Sequence, residues 1–170
     1  MMLNITRQIF RAYCLQIPTL LILACLSTQV YSFELVKVSS KATEPDALNL
    51  EALRGNVVYV DFWASWCAPC KKSFPWLNSM QKKYAEKGLK IIGVNVDKDP
   101  GLAENFLKKT PADFSMVFDP DGQLASKYKI IGMPSSYLID RDGNIQHTHV
   151  GFRTSKIDTY EKSIQELLEK

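Results

Sequence analysis

The strongest signal in the chain lies at residues 57–70, which read Val-Val-Tyr-Val-Asp-Phe-Trp-Ala-Ser-Trp-Cys-Ala-Pro-Cys. The apolar, β-branched run Val57–Trp63 predicts a buried strand. A helical pattern begins at Pro69, because apolar residues then recur every three to four positions. Cys67 and Cys70 therefore fall on the first turn of a helix, at the carboxyl end of a buried strand. There they can close a disulfide, and the helix N-terminus favours a thiolate at Cys67.

The residue types around this pair fit thiol–disulfide exchange. That chemistry needs an attacking thiol, a second thiol that resolves the mixed disulfide, and a base for the second thiol. Cys67 caps the helix and is predicted to be the exposed, partly ionised attacking thiol. Cys70 faces inward one turn later and is predicted to be the resolving thiol. Asp61 lies in an otherwise apolar strand, where burial raises the pKa of its carboxyl, so it can exchange protons with Cys70. The alternative for Asp61 is a structural role as a hydrogen-bond acceptor.

The rest of the chain alternates strands with helices and ends in a hairpin. Further strands are predicted at 89–96, 114–118, 136–139 and 145–150. Further helices are predicted from Asp99-Pro100, at 123–128, and after a capping box formed by Ser155 and Asp158. This order indicates an α/β fold with a central mixed β-sheet and helices on both faces.

The N-terminal segment has the features of an export signal. Arg7 and Arg11 form a positive n-region, and residues 17–26 form a short apolar core. Val30 and Ser32 place small residues three and one positions before a cut at Phe33. The apolar run is about half as long as the roughly 20 residues that span a bilayer.

We therefore expect a cleaved signal peptide at residues 1–32 and a single domain at residues 33–170. The expected location is the bacterial periplasm or an equivalent oxidising space. Two alternatives keep the protein tethered to the membrane: an uncleaved N-terminal anchor, or lipidation at Cys25 within Leu23-Ala24-Cys25. The choice between release and tethering stays open at this point.

The cysteine count favours a reactive pair over a structural one. Cys14 and Cys25 lie in the predicted signal, so Cys67 and Cys70 alone remain after cleavage. An exported domain of this size that relied on structural disulfides would usually have several distant pairs. The loop between Cys67 and Cys70 is so short that closing it stabilises the fold little.

Composition and the histidines bear on other functional classes. Removal of residues 1–32 brings the formal charge of +3 close to neutral, which gives no indication of nucleic-acid binding. A zinc site usually has four ligands, and residues 33–170 contain no second cysteine pair. His147 and His149 alternate on a predicted strand, so a copper-handling chaperone that uses Cys67, Cys70 and one histidine is the alternative function. No cofactor and no resident metal are expected.

The motif running from Asp61 to Lys71, with Pro75 after it and Met133-Pro134 near the hairpin, resembles the thioredoxin superfamily. Residues 110–129, an extra strand and helix, are similar to an insertion in the exported TlpA/ResA-like (redoxin) branch. The resemblance covers about residues 48–168. It implies a thioredoxin-like fold with this strand–helix insertion before a cis-proline.

The resemblance also implies roles for individual residues. Cys67 is the implied nucleophile, Cys70 the implied resolving thiol, and the peptide bond before Pro134 is implied to be cis. A cis bond would leave the backbone of Met133 free to pair with an extended client chain beside the dithiol. Trp66 is expected at the rim of the thiols, as part of a client-facing apolar surface.

Two positions depart from the family patterns. The TlpA/ResA-like branch often has a glutamate where this chain has Ser73, and it often lacks the buried aspartate that this chain has as Asp61. The lysine that pairs with that aspartate in thioredoxins would fall at Gly93. The predicted proton relay is therefore thioredoxin-like but has no lysine.

The pair Ala68-Pro69 between the cysteines indicates the direction of electron flow. A small residue followed by proline resembles the thioredoxin pair, and it has no cation that would stabilise Cys67 as a thiolate and make the couple oxidising. We therefore predict a reductase of protein disulfides. Its expected partners are disulfide-bonded client proteins and a membrane electron donor, and the protein is expected to be a monomer.

Overall fold

A computed structural model describes residues 48–170. The elements of this part of the chain are β1 (Val57–Trp63), α1 (Ala68–Tyr84), β2 (Leu89–Asn95), α2 (Pro100–Lys109), β3 (Ser115–Phe118), α3 (Gln123–Lys127), β4 (Ser135–Ile139), β5 (Ile145–Val150) and α4 (Ile157–Leu168). The strands form one sheet in the order β3-β2-β1-β4-β5. β1, β2 and β3 pair in parallel, whereas β4 runs antiparallel to β1 and β5 antiparallel to β4. The predicted mixed sheet is confirmed.

The central strand β1 has a buried side chain at every position, which explains its unbroken apolar pattern. Side chains alternate between the two faces of a strand. Tyr59 packs on one face in a cluster with Trp76 of α1 and Ile164 of α4. Phe62 packs on the other face in a cluster with Leu124 of α3. Helices therefore cover both faces of the sheet, as predicted.

Both cysteines lie at the N-terminus of helix α1. Cys67 is its N-cap and Pro69 lies in its first turn, where the missing N–H of proline costs no hydrogen bond. The helix continues through Pro75, which lies near its middle. After a 3₁₀ turn, the chain reverses at Gly88, whose φ of 95° is a left-handed conformation that favours glycine.

Most predicted boundaries agree with the structure within one or two residues, and the strand–helix insertion before Pro134 is present as β3 and α3. The capping box predicted at Ser155 and Asp158 is wrong. A 3₁₀ turn covers Thr154–Lys156, and α4 begins after Lys156 without a side-chain cap. The predicted signal peptide and the predicted domain start lie outside the described residues, and so does Cys25, the site of the alternative lipidation. None of the helices in residues 48–170 is long and apolar enough to cross a membrane.

Candidate active site at the Cys67–Cys70 disulfide

Cys67 and Cys70 form a disulfide across the first turn of α1, with their Cα atoms 5.3 Å apart. The Cys70 backbone N–H also donates a hydrogen bond to Cys67 Sγ at 3.2 Å. As the N-cap residue and as the acceptor of this hydrogen bond, Cys67 has its Sγ atom at the free N–H groups of the helix. When the disulfide is reduced, the same environment favours a thiolate at Cys67 over one at Cys70.

The burial of Cys67 differs from the expectation of an exposed thiol. Cys67 is 4 % exposed and Cys70 is fully buried, in a cluster that also contains Trp63, Phe74 and Ala103. Cys67 nevertheless lines a surface groove of about 410 Å³, so the groove is its route to solvent. The side chain of the preceding Trp66 is 69 % exposed and lines the same groove. Trp66 is therefore at the rim of the thiols, where the sequence places it.

Asp61 is a buried carboxyl on the α1-covered face of the sheet. Strand alternation puts it on the same face as Trp63, which shares a cluster with Cys70. Asp61 is 1 % exposed, and burial raises the pKa of its carboxyl to about 7. Ser136 Oγ donates a hydrogen bond to Asp61 Oδ1 at 2.6 Å and opposes that rise, whereas Oδ2 has no partner within residues 48–170. The carboxyl is thus able to change protonation state near neutral pH.

Asp61 has no cationic neighbour at the paired position of β2, because the residue there is Gly93. Gly93 of β2 pairs directly with Asp61 of β1, at the position where the resemblance to thioredoxins predicts the missing lysine. A Cβ at Gly93 would lie 2.7 Å from Met116 Sδ and 3.1 Å from Trp63 Nε1. Met116 therefore fills the space that a longer side chain at position 93 would need.

The Met133–Pro134 peptide bond is cis, as the family resemblance implies. Met133 packs against the cluster that contains both cysteines, and Pro134 is buried. Pro134 O accepts a hydrogen bond from Gly151 N at 2.7 Å, which ties this loop to the end of β5. The loop before β4 and the first turn of α1 thus meet at one end of the sheet.

The structure adds a hydrogen-bond network that the sequence analysis missed. Asp97 is 4 % exposed, and its carboxylate accepts hydrogen bonds from the N–H and the hydroxyl of Ser65 at 2.8 and 2.9 Å. It also accepts one from Asn95 Nδ2 at 2.8 Å. The network holds the loop that leads from β1 into Cys67. Polar residues just past the end of a strand next to β1 were the available signal. Ser136 gave none, because its contact with Asp61 depends on the register of β4.

His147 and His149 do not line the groove beside Cys67. His147 and His149 are on β5 with their rings stacked 6.4 Å apart, and His149 also packs edge-on against Tyr160 of α4. Burial is the main reason why the pKa of His149 is lowered. Within residues 48–170, no three His, Cys, Asp or Glu side chains form a group that could hold a metal ion. The copper-handling alternative therefore gains no support from the geometry.

Fold and site together define a thioredoxin-like thiol–disulfide oxidoreductase. The profile of the Redoxin family matches residues 29–164, so the chain belongs to that family. Over 122 residues the chain is 34 % identical to the thiol-disulfide oxidoreductase ResA of Bacillus thuringiensis subsp. konkukian, which covers 71 % of this chain and 70 % of the relative.

Solved structures agree with this assignment. A Chlorobium tepidum protein, assigned as the thiol:disulfide interchange protein DsbE, is 49 % identical and superimposes with a TM-score of 0.69 over 70 % of this chain and 84 % of that one. The exposed lipoprotein thioredoxin Etrx1 of Streptococcus pneumoniae is 27 % identical, with a TM-score of 0.62 over 69 % of this chain and 90 % of that one.

Proposed function

We propose that this protein is an exported reductase of protein disulfides, with Cys67 as the nucleophile and Cys70 as the resolving thiol. The observation that carries the proposal is the disulfide at the N-terminus of α1, which has one sulfur at the groove and the other fully buried. The thiol at the groove can meet a client, whereas the buried thiol can reach only the sulfur of Cys67. The division of roles follows from this difference in access.

The proposed reaction has two exchange steps. The Cys67 thiolate attacks one sulfur of a client disulfide, a mixed disulfide forms, and the other client sulfur leaves as a thiolate that takes up a proton. Cys70 then gives up its proton and attacks Cys67 Sγ. This step closes the Cys67–Cys70 disulfide and releases the second client thiol. Two electrons pass from the dithiol to the client, and a separate donor must return them.

Asp61 is the proposed proton acceptor for Cys70. A carboxyl with a pKa of about 7 is close to half-ionised at neutral pH, so it can take the thiol proton and later return it. Its unpartnered Oδ2 leaves one oxygen available for this exchange. Because no cation lies beside Asp61 at position 93, the carboxyl relies on burial and on Ser136 alone for its pKa.

Trp66, Met133 and Pro134 form the proposed client-docking surface. Trp66 offers an exposed indole, and Met133 packs next to the cysteines. An extended client chain could pair with the backbone of Met133 while its disulfide is attacked.

The proposed location is the periplasm or an equivalent oxidising space, with the membrane supplying electrons. The signal-like residues 1–32 support export, and the pneumococcal relative is described as an exposed lipoprotein. A reductase in an oxidising space needs a continuing supply of electrons, so we propose a membrane-bound donor and a monomeric enzyme that shuttles between donor and client. Because that relative is a lipoprotein, lipidation at Cys25 remains the alternative in which this protein is tethered to the membrane.

A trapping experiment tests the roles of the two cysteines. Reduced Cys70→Ser should accumulate mixed disulfides with client proteins through Cys67, because the resolving step is blocked. Reduced Cys67→Ser should accumulate few or none, because Cys70 is buried. Non-reducing electrophoresis and mass spectrometry measure both. Equal trapping by the two variants would overturn the assignment, and no trapping by either would overturn the proposed function.

A further inference from the structure

The groove beside Cys67 is lined on one side by a single face of α2. Leu102, Asn105, Phe106 and Lys109 recur at spacings of three and four residues, which places them on one stripe of that helix. The opposite side of the groove consists of the segment around the disulfide, namely Ser65, Trp66, Cys67, Ala68 and Lys71. A chain that lies in the groove would therefore touch both the reactive sulfur and the stripe on α2.

The groove combines exposed apolar side chains with positive charge. Trp66 is 69 % exposed and Leu102 is 48 % exposed, and both side chains line the same groove. Exposed apolar side chains that share one surface feature are typical of interaction sites. The charged residues among those that line the groove are Lys71 and Lys109, and the lining contains no carboxylate. Neither lysine forms an ion pair with another residue of the described part of the chain.

The position of Lys71 is unfavourable for the helix itself. It lies in the first turns of α1, where the positive end of the helix dipole repels a cation, and the first turn contains no acidic residue to offset it. An anionic group in the groove would gain from both the dipole and the lysine. Lys109 lies in the last turn of α2, where a cation stabilises the helix, so its place alone indicates nothing. Both lysines nevertheless contribute positive charge to the same groove.

We propose that this groove selects client disulfides flanked by an acidic residue, with Leu102 and Phe106 contacting the apolar part of the client segment and Lys109 and Lys71 its carboxylate. The inference rests on the proposed reductase function and specifies its clients. The stripe from Leu102 to Lys109 is about 10 Å long, which matches about three residues of extended chain. The acidic residue is therefore expected within about three positions of the client cysteine.

Three synthetic peptides with one disulfide each test the proposal. They differ only in the residues two and three positions from the cysteine, which are Glu, Gln or Lys. The reduced full-length protein should reduce the Glu peptide about tenfold faster than the Lys peptide, with the Gln peptide between them, because the two exposed lysines attract a Glu side chain and repel a Lys side chain. The ratio should fall in about 0.5 M salt, because the contacts are solvent-exposed.

Two charge-reversal variants locate the effect. Lys109→Glu should bring the Glu-to-Lys rate ratio close to one. Lys108→Glu is the matched control, because Lys108 lies in the same last turn of α2 and interacts with the same helix dipole but does not line the groove. This control should keep the wild-type ratio within about twofold.

The outcomes separate this inference from the function on which it rests. Equal rates for the three peptides with the wild-type protein would overturn charge selection by the groove and leave the reductase function standing. Equal changes in Lys108→Glu and Lys109→Glu would also overturn it, because net charge would then explain the ratio. Failure of the reduced protein to act on any of the peptides would overturn the proposed function itself.

Discussion

Among single residues, Asp61 gives the protein its clearest pH dependence. Its pKa is about 7 in the folded protein against an ordinary value of 3.8, because burial penalises the charged form. The folded state therefore binds more protons than the unfolded state between about pH 4 and pH 7. Stability falls as the pH rises through this window, and the loss is complete above pH 7. At about 1.4 kcal/mol per pKa unit, the loss is on the order of 4 kcal/mol.

We expect Asp61→Asn to remove this loss, because asparagine keeps the shape but carries no charge. Urea unfolding of the oxidised proteins at pH 5 and pH 8 measures it. The wild-type protein should lose stability between the two values, whereas the variant should lose much less and be the more stable of the two at pH 8. An identical pH slope in both proteins would show that Asp61 is not the group that titrates.

The same substitution should slow catalysis. Without a proton acceptor for Cys70, client reduction near pH 7 should fall about tenfold or more. The pH profile of the variant should also lose the step near pH 7 that Asp61 contributes. Initial rates of client reduction from pH 6 to pH 9 provide the measurement. A rate that matches the wild type across this range would leave Asp61 with only a structural role.

Ser136 should tune the pKa of Asp61. Its hydroxyl donates to Asp61 Oδ1, and this hydrogen bond lowers the carboxyl pKa. Ser136→Ala should therefore shift the Asp61 step in the pH profile to higher pH. Ser135→Ala is the matched control, because the Ser135 hydroxyl is also buried but donates to Gly132 O instead. A shift of equal size in both variants would exclude a direct effect of Ser136 on the carboxyl.

These residues also show how far the sequence predicts the site. Asp61 stands out in an apolar strand, and a motif comparison was enough to place Gly93 beside it. The Ser136 contact was not predictable, because it depends on which residues of β4 face β1. The burial of Cys67 was missed for a similar reason: helix position predicts the electrostatics of a thiol, whereas its exposure depends on distant residues such as Ala103.

Among the elements, the loop between β1 and α1 depends on Asp97. Asp97→Ala would leave three hydrogen-bond donors without their acceptor, two on Ser65 and one on Asn95. We expect a loss of about 2–3 kcal/mol in the free energy of unfolding. Asp99→Ala is the comparison: the exposed Asp99 caps α2 through Gly101 N, and its loss should cost about 1 kcal/mol. Chemical denaturation measures the free energy of unfolding of both variants. A loss of stability in Asp97→Ala no larger than that in Asp99→Ala would contradict this role of Asp97.

The accuracy of the predicted elements follows the strength of local signals. β1 was predicted at its observed bounds, because seven consecutive buried residues leave no ambiguity. The start of α4 was predicted incorrectly. Ser155 and Asp158 have the spacing of a cap, but the chain forms a 3₁₀ turn there and Ser155 caps nothing. Alternative turns with similar local sequence differ too little in energy for spacing alone to distinguish them.

At the scale of the whole molecule, the alternation of strands and helices predicted the mixed sheet and its covered faces. Pairing order added what the sequence could not specify: β1 lies at the centre of the sheet, and β4 brings the Pro134 loop to the end of the sheet from which α1 starts. The site therefore combines residues that are more than sixty positions apart. Its parts were each recognisable in the sequence, but their contacts depend on the global pairing of strands.

The reduction potential of the Cys67–Cys70 couple is the property that sets the direction of electron flow. The helix N-terminus stabilises the reduced form as a thiolate, which makes a couple more oxidising, and Lys71 in the groove acts in the same sense. The intervening Ala68-Pro69 adds no further cation, and the buried Cys70 favours the uncharged disulfide. We expect these opposing effects to leave the potential between about −220 and −290 mV, in the range of glutaredoxins and thioredoxin.

Equilibration of the protein with glutathione at known ratios measures this potential, with the fraction of Cys67–Cys70 disulfide determined after acid quenching and alkylation. Lys71→Gln should move the potential to a more negative value, because it removes a cation that favours the Cys67 thiolate. Lys72→Gln is the control, since Lys72 is exposed on the same turn but does not line the groove. A wild-type value above roughly −160 mV would contradict the reductase assignment, because such a couple would donate its disulfide to clients rather than remove theirs.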